Sequence, residues 1–246
     1  MMRDQAETMF TEDHRLGDIV VKFPQAGDIF KRYHIDFCCG GDQPLSEAIA
    51  EHSIDGSSLL KELNERYREA VRQGIEITDW SKASMEQLIH HIVNRHHAYL
   101  NKVFPPMSEL TAKILRVHGE NHGQVLSQVH RLFSQLRTDM EQHMIAEEQS
   151  VFLQIIDYEQ IRTPGKLGAV IAAVEKLDQE HEATGDIVKM MRKVTDNYAL
   201  PEDACATYAY VFEKLEELET DIFQHIHLEN NILFNRLLNE RLLPSE

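Results

Sequence analysis

The chain has 246 residues, 41 of them acidic against 25 basic, for a net charge of −16. Such a surface repels nucleic acid, and no stretch approaches the ~20 apolar residues of a membrane span. Three cysteines, two of them adjacent, make no disulfide framework, and sparse glycine and proline argue for helices over a sandwich or barrel.

Residues 1–14 carry Asp4, Glu7, Glu12 and Asp13 and no apolar run, so no signal peptide is expected there and the cytoplasm is the expected compartment. Pro24 opens a short helix to about Tyr33. A loop follows, His34-Ile35-Asp36-Phe37-Cys38-Cys39-Gly40-Gly41-Asp42. Pro44 begins a second helix, and Ser57-Ser58 can cap a third through Tyr67. Residues 1–72 therefore read as a small helical domain and 73–82 as a linker. From 83 to 243 the pattern changes to long amphipathic helices. The first runs from Met85 to Phe104 and stops at Pro105-Pro106. A shorter one spans Ser108 to Val117, and Gly119 and Gly123 mark a break. Long helices follow from Gln124 to Tyr158, from Lys166 to Asn197, and from Pro201 to Leu238. There is no strand signal, and the fold class is all-α, an up-down four-helix bundle behind a small helical domain.

Fourteen histidines are the unusual feature, most of them after residue 90. Two segments share one pattern, His143-Met-Ile-Ala-Glu147-Glu148 with Phe152, and His225-Ile-His-Leu-Glu229-Asn230 with Phe234. Each reads H-x-x-x-E, a polar residue, then Phe nine positions after the His. Residues i and i+4 share a helix face. Leu136, Met140 and Val151 place the first pair on an apolar stripe; Leu218, Ile222 and Leu233 do so for the second. Buried charges need compensation, and a metal supplies it. His181 lies on a similar stripe, and His96-His97 on another. His97 precedes His143 by 46 residues and His181 precedes His225 by 44, so two helix hairpins form an approximate internal repeat. Four His and two Glu are too many for one tetrahedral zinc; they suit a dinuclear iron or manganese site with bridging carboxylates. A fifth ligand stays open on spacing alone. His118 lies roughly 30 Å from His97 if both ride one straight helix, so it joins only if the chain folds back at the prolines. Glu148 and Glu180 either orient ligands or are solvated charges. Cys205 reads as an ordinary helix residue.

These residues resemble the haemerythrin-like family. The run from Leu16-Gly-Asp-Ile-Val through Phe23-Pro24 to Ile35-Asp36-Phe37-Cys38-Cys39-Gly40-Gly41 resembles the ScdA-type N-terminal domain. Together they look like the repair-of-iron-centres (ScdA/YtfE) proteins across nearly the whole chain. The resemblance implies metal ligands at His97, His118, His143, Glu147, His181, His225 and Glu229. It implies two non-haem iron ions, carboxylate-bridged with an oxo or hydroxo bridge. His96 departs from an expected aromatic and leaves open which of His96 and His97 binds; Leu153 and Asn235 stand where the family often has Pro. The implied role is repair of iron–sulfur clusters damaged by oxidative or nitrosative stress, through iron donation. The alternatives are nitric oxide reduction, and sensing or carriage of nitric oxide or dioxygen. The implied partners are damaged iron–sulfur proteins and those small ligands, with no nucleic acid or membrane. Cys38 and Cys39 are read as a redox or ligand relay, exposed by a turn at Gly40-Gly41 and acting within a chain or across a homodimer.

Overall fold

The chain divides into two compact units, Met1–Lys82 and Ala83–Glu246. The computed structural model describes residues 10–74 and 78–241, so most of the acidic N-terminal run, three residues of the expected linker and the last five residues lie outside it. Among the described residues there is no strand, only an isolated bridge between Arg15 and Pro44. No helix among them is long and apolar enough to cross a membrane.

The first unit holds α1 (Leu16–Lys22), α2 (Ala26–Arg32), α3 (Leu45–Glu51) and α4 (Gly56–Arg72). Leu16, Ile19, Phe23, Phe30, Leu45, Leu59 and Leu63 form its core. Buried Asn64 on α4 holds the incoming chain, accepting from the Phe10 N–H at 2.9 Å and donating to the Phe10 carbonyl at 3.1 Å. Asp55, not Ser57-Ser58, caps α4, accepting from the backbone of both serines at 3.1 and 3.3 Å.

The second unit contains α5 (Met85–Ile92), the π-turn π1 (Val93–His97), α6 (Ala98–Ala146), π2 (Glu147–Val151), α7 (Phe152–Gln160), α8 (Pro164–Val194), α9 (Ala206–His227), π3 (Leu228–Phe234) and α10 (Asn235–Arg241). They form four rods, residues 85–121, 123–160, 164–194 and 206–241. Ser84 and Gln87 close a capping box on α5. Glu159, from the second rod, accepts from the Met85 and Glu86 N–H groups at 2.7 and 3.0 Å.

The chain does not stop or fold back at Pro105-Pro106. Both prolines sit inside α6 on its exposed side, between buried Phe104 and Met107. The residues whose carbonyls lose a donor, Asn101 and Lys102, are exposed, where water can take the donor's place and limit the cost. The reversal comes instead at His122, the one non-helical residue of α6, with φ −121° and ψ 16°. Further along, α8 starts at Pro164 and ends at Val194, and α9 starts at Ala206, with Cys205 as its N-cap rather than an interior residue.

Candidate metal centre

Apolar stripes on all four rods turn six chemistry-bearing side chains inward. His97, His143, Glu147, His181, His225 and Glu229 are each at most 4% exposed. They form two donor sets. His97 and His225 bring their Nε2 atoms to 3.1 Å, with Glu147 Oε2 3.4 Å from His97 and Glu229 Oε1 2.9 Å from His225. His143 and His181 bring theirs to 2.9 Å, with Glu147 Oε1 3.3 Å from His143 and Glu229 Oε2 3.1 Å from His181. Both carboxylates belong to both sets, and each puts one oxygen into each. Every set also mixes the hairpins, taking the single His of one and the H-x-x-x-E histidine of the other.

Three of the four imidazoles are held from outside at their opposite edges, while His225 Nδ1 is buried without a hydrogen-bond partner. His97 Nδ1 meets Glu148 at 2.8 Å, His143 Nδ1 meets Glu180 at 2.9 Å, and His181 Nδ1 meets Asn230 Oδ1 at 2.7 Å. An oxygen acceptor there makes Nδ1 the protonated nitrogen and leaves the Nε2 lone pair facing inward. Asn230 follows Glu229 as Glu148 follows Glu147, so the polar residue of the repeated motif has one job in both halves. Asn230 is itself held by Asp178 at 2.8 Å. Phe152 and Phe234 stack on His97 and His181, both with centroids 5.9 Å apart. His96 is not in either set. Its Nδ1 meets Asp221 at 3.1 Å and its ring stacks on His225.

Do these residues fit a metal pair? Both oxygens of Glu147 and Oε2 of Glu229 are buried without a hydrogen-bond donor, a cost that a cation removes. Two pairs of inward nitrogens at 2.9–3.1 Å oppose their lone pairs unless a proton or a cation lies between them. Positive charge is what the cluster requires. Burial lowers the His143 imidazole, but the Glu147 carboxylate more than offsets this and raises it to about 10. Burial opposes the Glu229 charge, yet the His225 and His181 imidazoles hold its carboxyl well below the usual range. An all-nitrogen-and-oxygen donor set suits divalent iron, manganese or zinc rather than a soft cation.

His118 does not reach this cluster. It is 21 residues beyond His97 on an unbroken rod, roughly 30 Å away at the helical rise. Its Nε2 lies 3.2 Å from Cys205 Sγ instead. The six clustered residues thus offer two nitrogens and two oxygens to each position.

In the first unit, Asp36 gathers the vicinal cysteines. Its Oδ1 accepts from the Cys38 and Cys39 N–H groups at 3.1 and 3.0 Å and from the Cys38 thiol at 3.1 Å. The two sulfurs are 3.7 Å apart and not bonded. The loop does not expose both thiols, because Cys38 is buried and Cys39 half-buried. Burial, and then Cys39 and Asp36, push the Cys38 thiol well above its ordinary value. Gly40 is required, since a Cβ there would stand 2.7 Å from the Asp36 carbonyl.

Comparison with known proteins adds the lineage. Residues 88–237 match the haemerythrin HHE cation-binding domain, and residues 12–67 match ScdA_N, a domain of unknown function. The iron-sulfur cluster repair protein ScdA of Staphylococcus haemolyticus is 33% identical over 228 residues, which is 93% of this chain and 99% of that protein. This chain belongs to the haemerythrin-like ScdA/YtfE family. Other members include ScdA of Staphylococcus epidermidis, 31% identical over 93% of this chain and all of that protein. The iron-sulfur cluster repair protein YtfE of Escherichia coli O157:H7 is 29% identical over 94% of this chain and 99% of that protein. The family's cation-binding domain coincides with the rods that carry both donor sets.

Proposed function

We propose that this protein repairs damaged iron–sulfur clusters by holding two iron ions between its four rods and passing iron to depleted clusters. His97, His225, Glu147 and Glu229 would hold one ion; His143, His181 and the same two glutamates would hold the other. The observation that carries the reading is the sharing of Glu147 and Glu229, each with one oxygen in each set. The relatives' role as cluster repair proteins supports the same reading.

Bound iron would supply Lewis acidity and one-electron chemistry. The protein's own residues explain how iron can be both held and surrendered. Neutral imidazole and carboxylate bind iron less tenaciously than thiolates would hold it, and binding competes with protons on four Nε2 atoms. Glu148 and Glu180 keep His97 and His143 in the ligating tautomer but are themselves 42% and 38% exposed at the side chain, so the outer support of both sets touches solvent. Four protein donors per ion leave positions where nitric oxide or dioxygen can reach the pair, the basis of the reductase and sensor readings. The free cysteines suit a reducing cytoplasm.

The test loads the protein anaerobically with ferrous iron and mixes it with an apo-[4Fe–4S] protein, a thiol and sulfide. Recovery of the acceptor's cluster absorption, matched by iron lost from the donor, supports donation. Retention of all iron, with turnover of nitric oxide by an added reductant, would replace donation with the reductase reading.

A further inference from the structure

The bundle's other end carries a second cluster of reactive side chains. His118 lies on the last turn of the first rod, and His122 is the reversal residue that follows it. They face Asp203 and Cys205 in the segment that leads into the fourth rod. His118 Nε2 lies 3.2 Å from Cys205 Sγ, and His122 Nε2 lies 2.7 Å from Asp203 Oδ1. Asn121 Nδ2 donates to the same Asp203 carboxylate at 3.3 Å. Buried Tyr208 packs edge-on against both imidazoles, with centroids 5.3 and 6.1 Å away, and fixes their orientation. Cys205 is exposed, as disulfide exchange requires, and is the N-cap of the 22-residue α9, where partial positive charge favours a thiolate.

We propose that Cys205 and His118 form a nucleophilic thiol pair that exchanges with low-molecular-weight disulfides and stores the product as a mixed disulfide, some 30 Å from the metal centre. His118 Nε2 takes the thiol proton. The Cys205 sulfur attacks one sulfur of the disulfide. A new S–S bond forms to Cys205 as the old one breaks, and the departing thiolate takes the proton from His118. Cys205 is oxidised, half of the disulfide is reduced to a thiol, and nothing else is consumed. Hydrogen bonding from His118, with help from the Tyr208 N–H, lowers the Cys205 thiol to about 7, while Cys38 moves the opposite way. At neutral pH Cys205 is therefore the ready nucleophile of the two. A thiol near 7 has about half its population ionised at pH 7, against roughly 3% for one near 8.5. The lower basicity of the thiolate takes back part of this, leaving about a threefold rate advantage.

The experiment treats the full-length reduced protein with glutathione disulfide, and separately with iodoacetamide, from pH 5.5 to 9.5, with each cysteine followed by peptide mass mapping. Cys205 should react first, with half-maximal rate near pH 7. His118→Gln should move that midpoint up by about one unit or more and slow mixed-disulfide formation at pH 7 about threefold. His122→Gln, which leaves the pair intact, should keep the native midpoint, and helical circular dichroism should be unchanged in both variants. A native midpoint near 8.5, or a His118→Gln profile superimposable on the native one, overturns the proposal. So does protection of Cys205 by equimolar Zn²⁺ that is lost in His122→Gln, which would make the cluster a cation site.

Discussion

Glu147 and Glu229 are fully buried, and each joins both donor sets. Removing either should therefore impair both ions together, whereas removing one histidine should strike one set first. Glu180→Gln and Glu148→Gln probe the outer contacts. Each weakens the acceptor that keeps an imidazole in its ligating tautomer, and each should lower metal affinity about 10- to 100-fold in competition with a chelator, with the fold intact. Unchanged affinity in both would leave these carboxylates as surface charges. At this scale the sequence was legible where a pattern repeated. His143-x-x-x-Glu147 and His225-x-x-x-Glu229 name themselves, and the polar residue after each Glu was visible as Glu148 and Asn230. Glu180 carried no such signal, because its counterpart in the other half is His96. His118 misled because a match of position says nothing about distance along a rod.

At the scale of elements, three π-turns carry or adjoin members of the two donor sets: His97 closes π1, Glu147 opens π2 and Glu229 lies in π3. A π-turn inserts one residue per turn and re-aims the side chains around it, a device common at functional sites. It leaves no mark in a hydrophobic stripe a few residues long, so the sequence showed only continuous helix. The two prolines misled in the other direction. Proline signals a break, yet on the solvent side a helix can carry it. Pro105→Ala restores a donor to the Asn101 carbonyl and should raise the melting temperature without changing metal content; a lower melting temperature would mean the proline is adapted to its site. At the far end of α8, Arg192 forms a two-pronged pair with buried Glu219 on α9, at 2.7 and 2.8 Å. Glu219→Ala leaves the guanidinium without its partner and should cost about 3 kcal/mol in denaturant unfolding. A loss below 1 kcal/mol would mean that water replaces the carboxylate.

For the whole molecule, the internal repeat explains why so much could be read in advance. Two hairpins of similar pattern, 82–84 residues apart, converge with their single histidines crossed between sets. The helical class and the inward faces followed from periodicity. The crossing did not, since it depends on how the hairpins pack. The site's charge also sets a pH response. Burial lowers the His143 imidazole, but Glu147 raises it to about 10. Its contribution to the metal-free fold is therefore complete below the ordinary imidazole value, ~6.5, and is lost as pH rises through that raised value. The metal-free protein should lose melting temperature between pH 7 and 10, and His143→Gln should lose less over the same span. Equal losses would remove His143 from the balance. The loaded protein should fail on the acid side instead, where protons displace the ions.

Whether six residues make a two-ion centre is decided by metal content after anaerobic reconstitution with ferrous iron. The wild-type chain should bind about two irons. The His143→Ala, His225→Ala double variant, which removes one nitrogen from each set, should bind almost none while remaining helical, and His118→Gln should keep both. Iron lost in His118→Gln, or a folded double variant that still holds two, would rule out the six-residue centre.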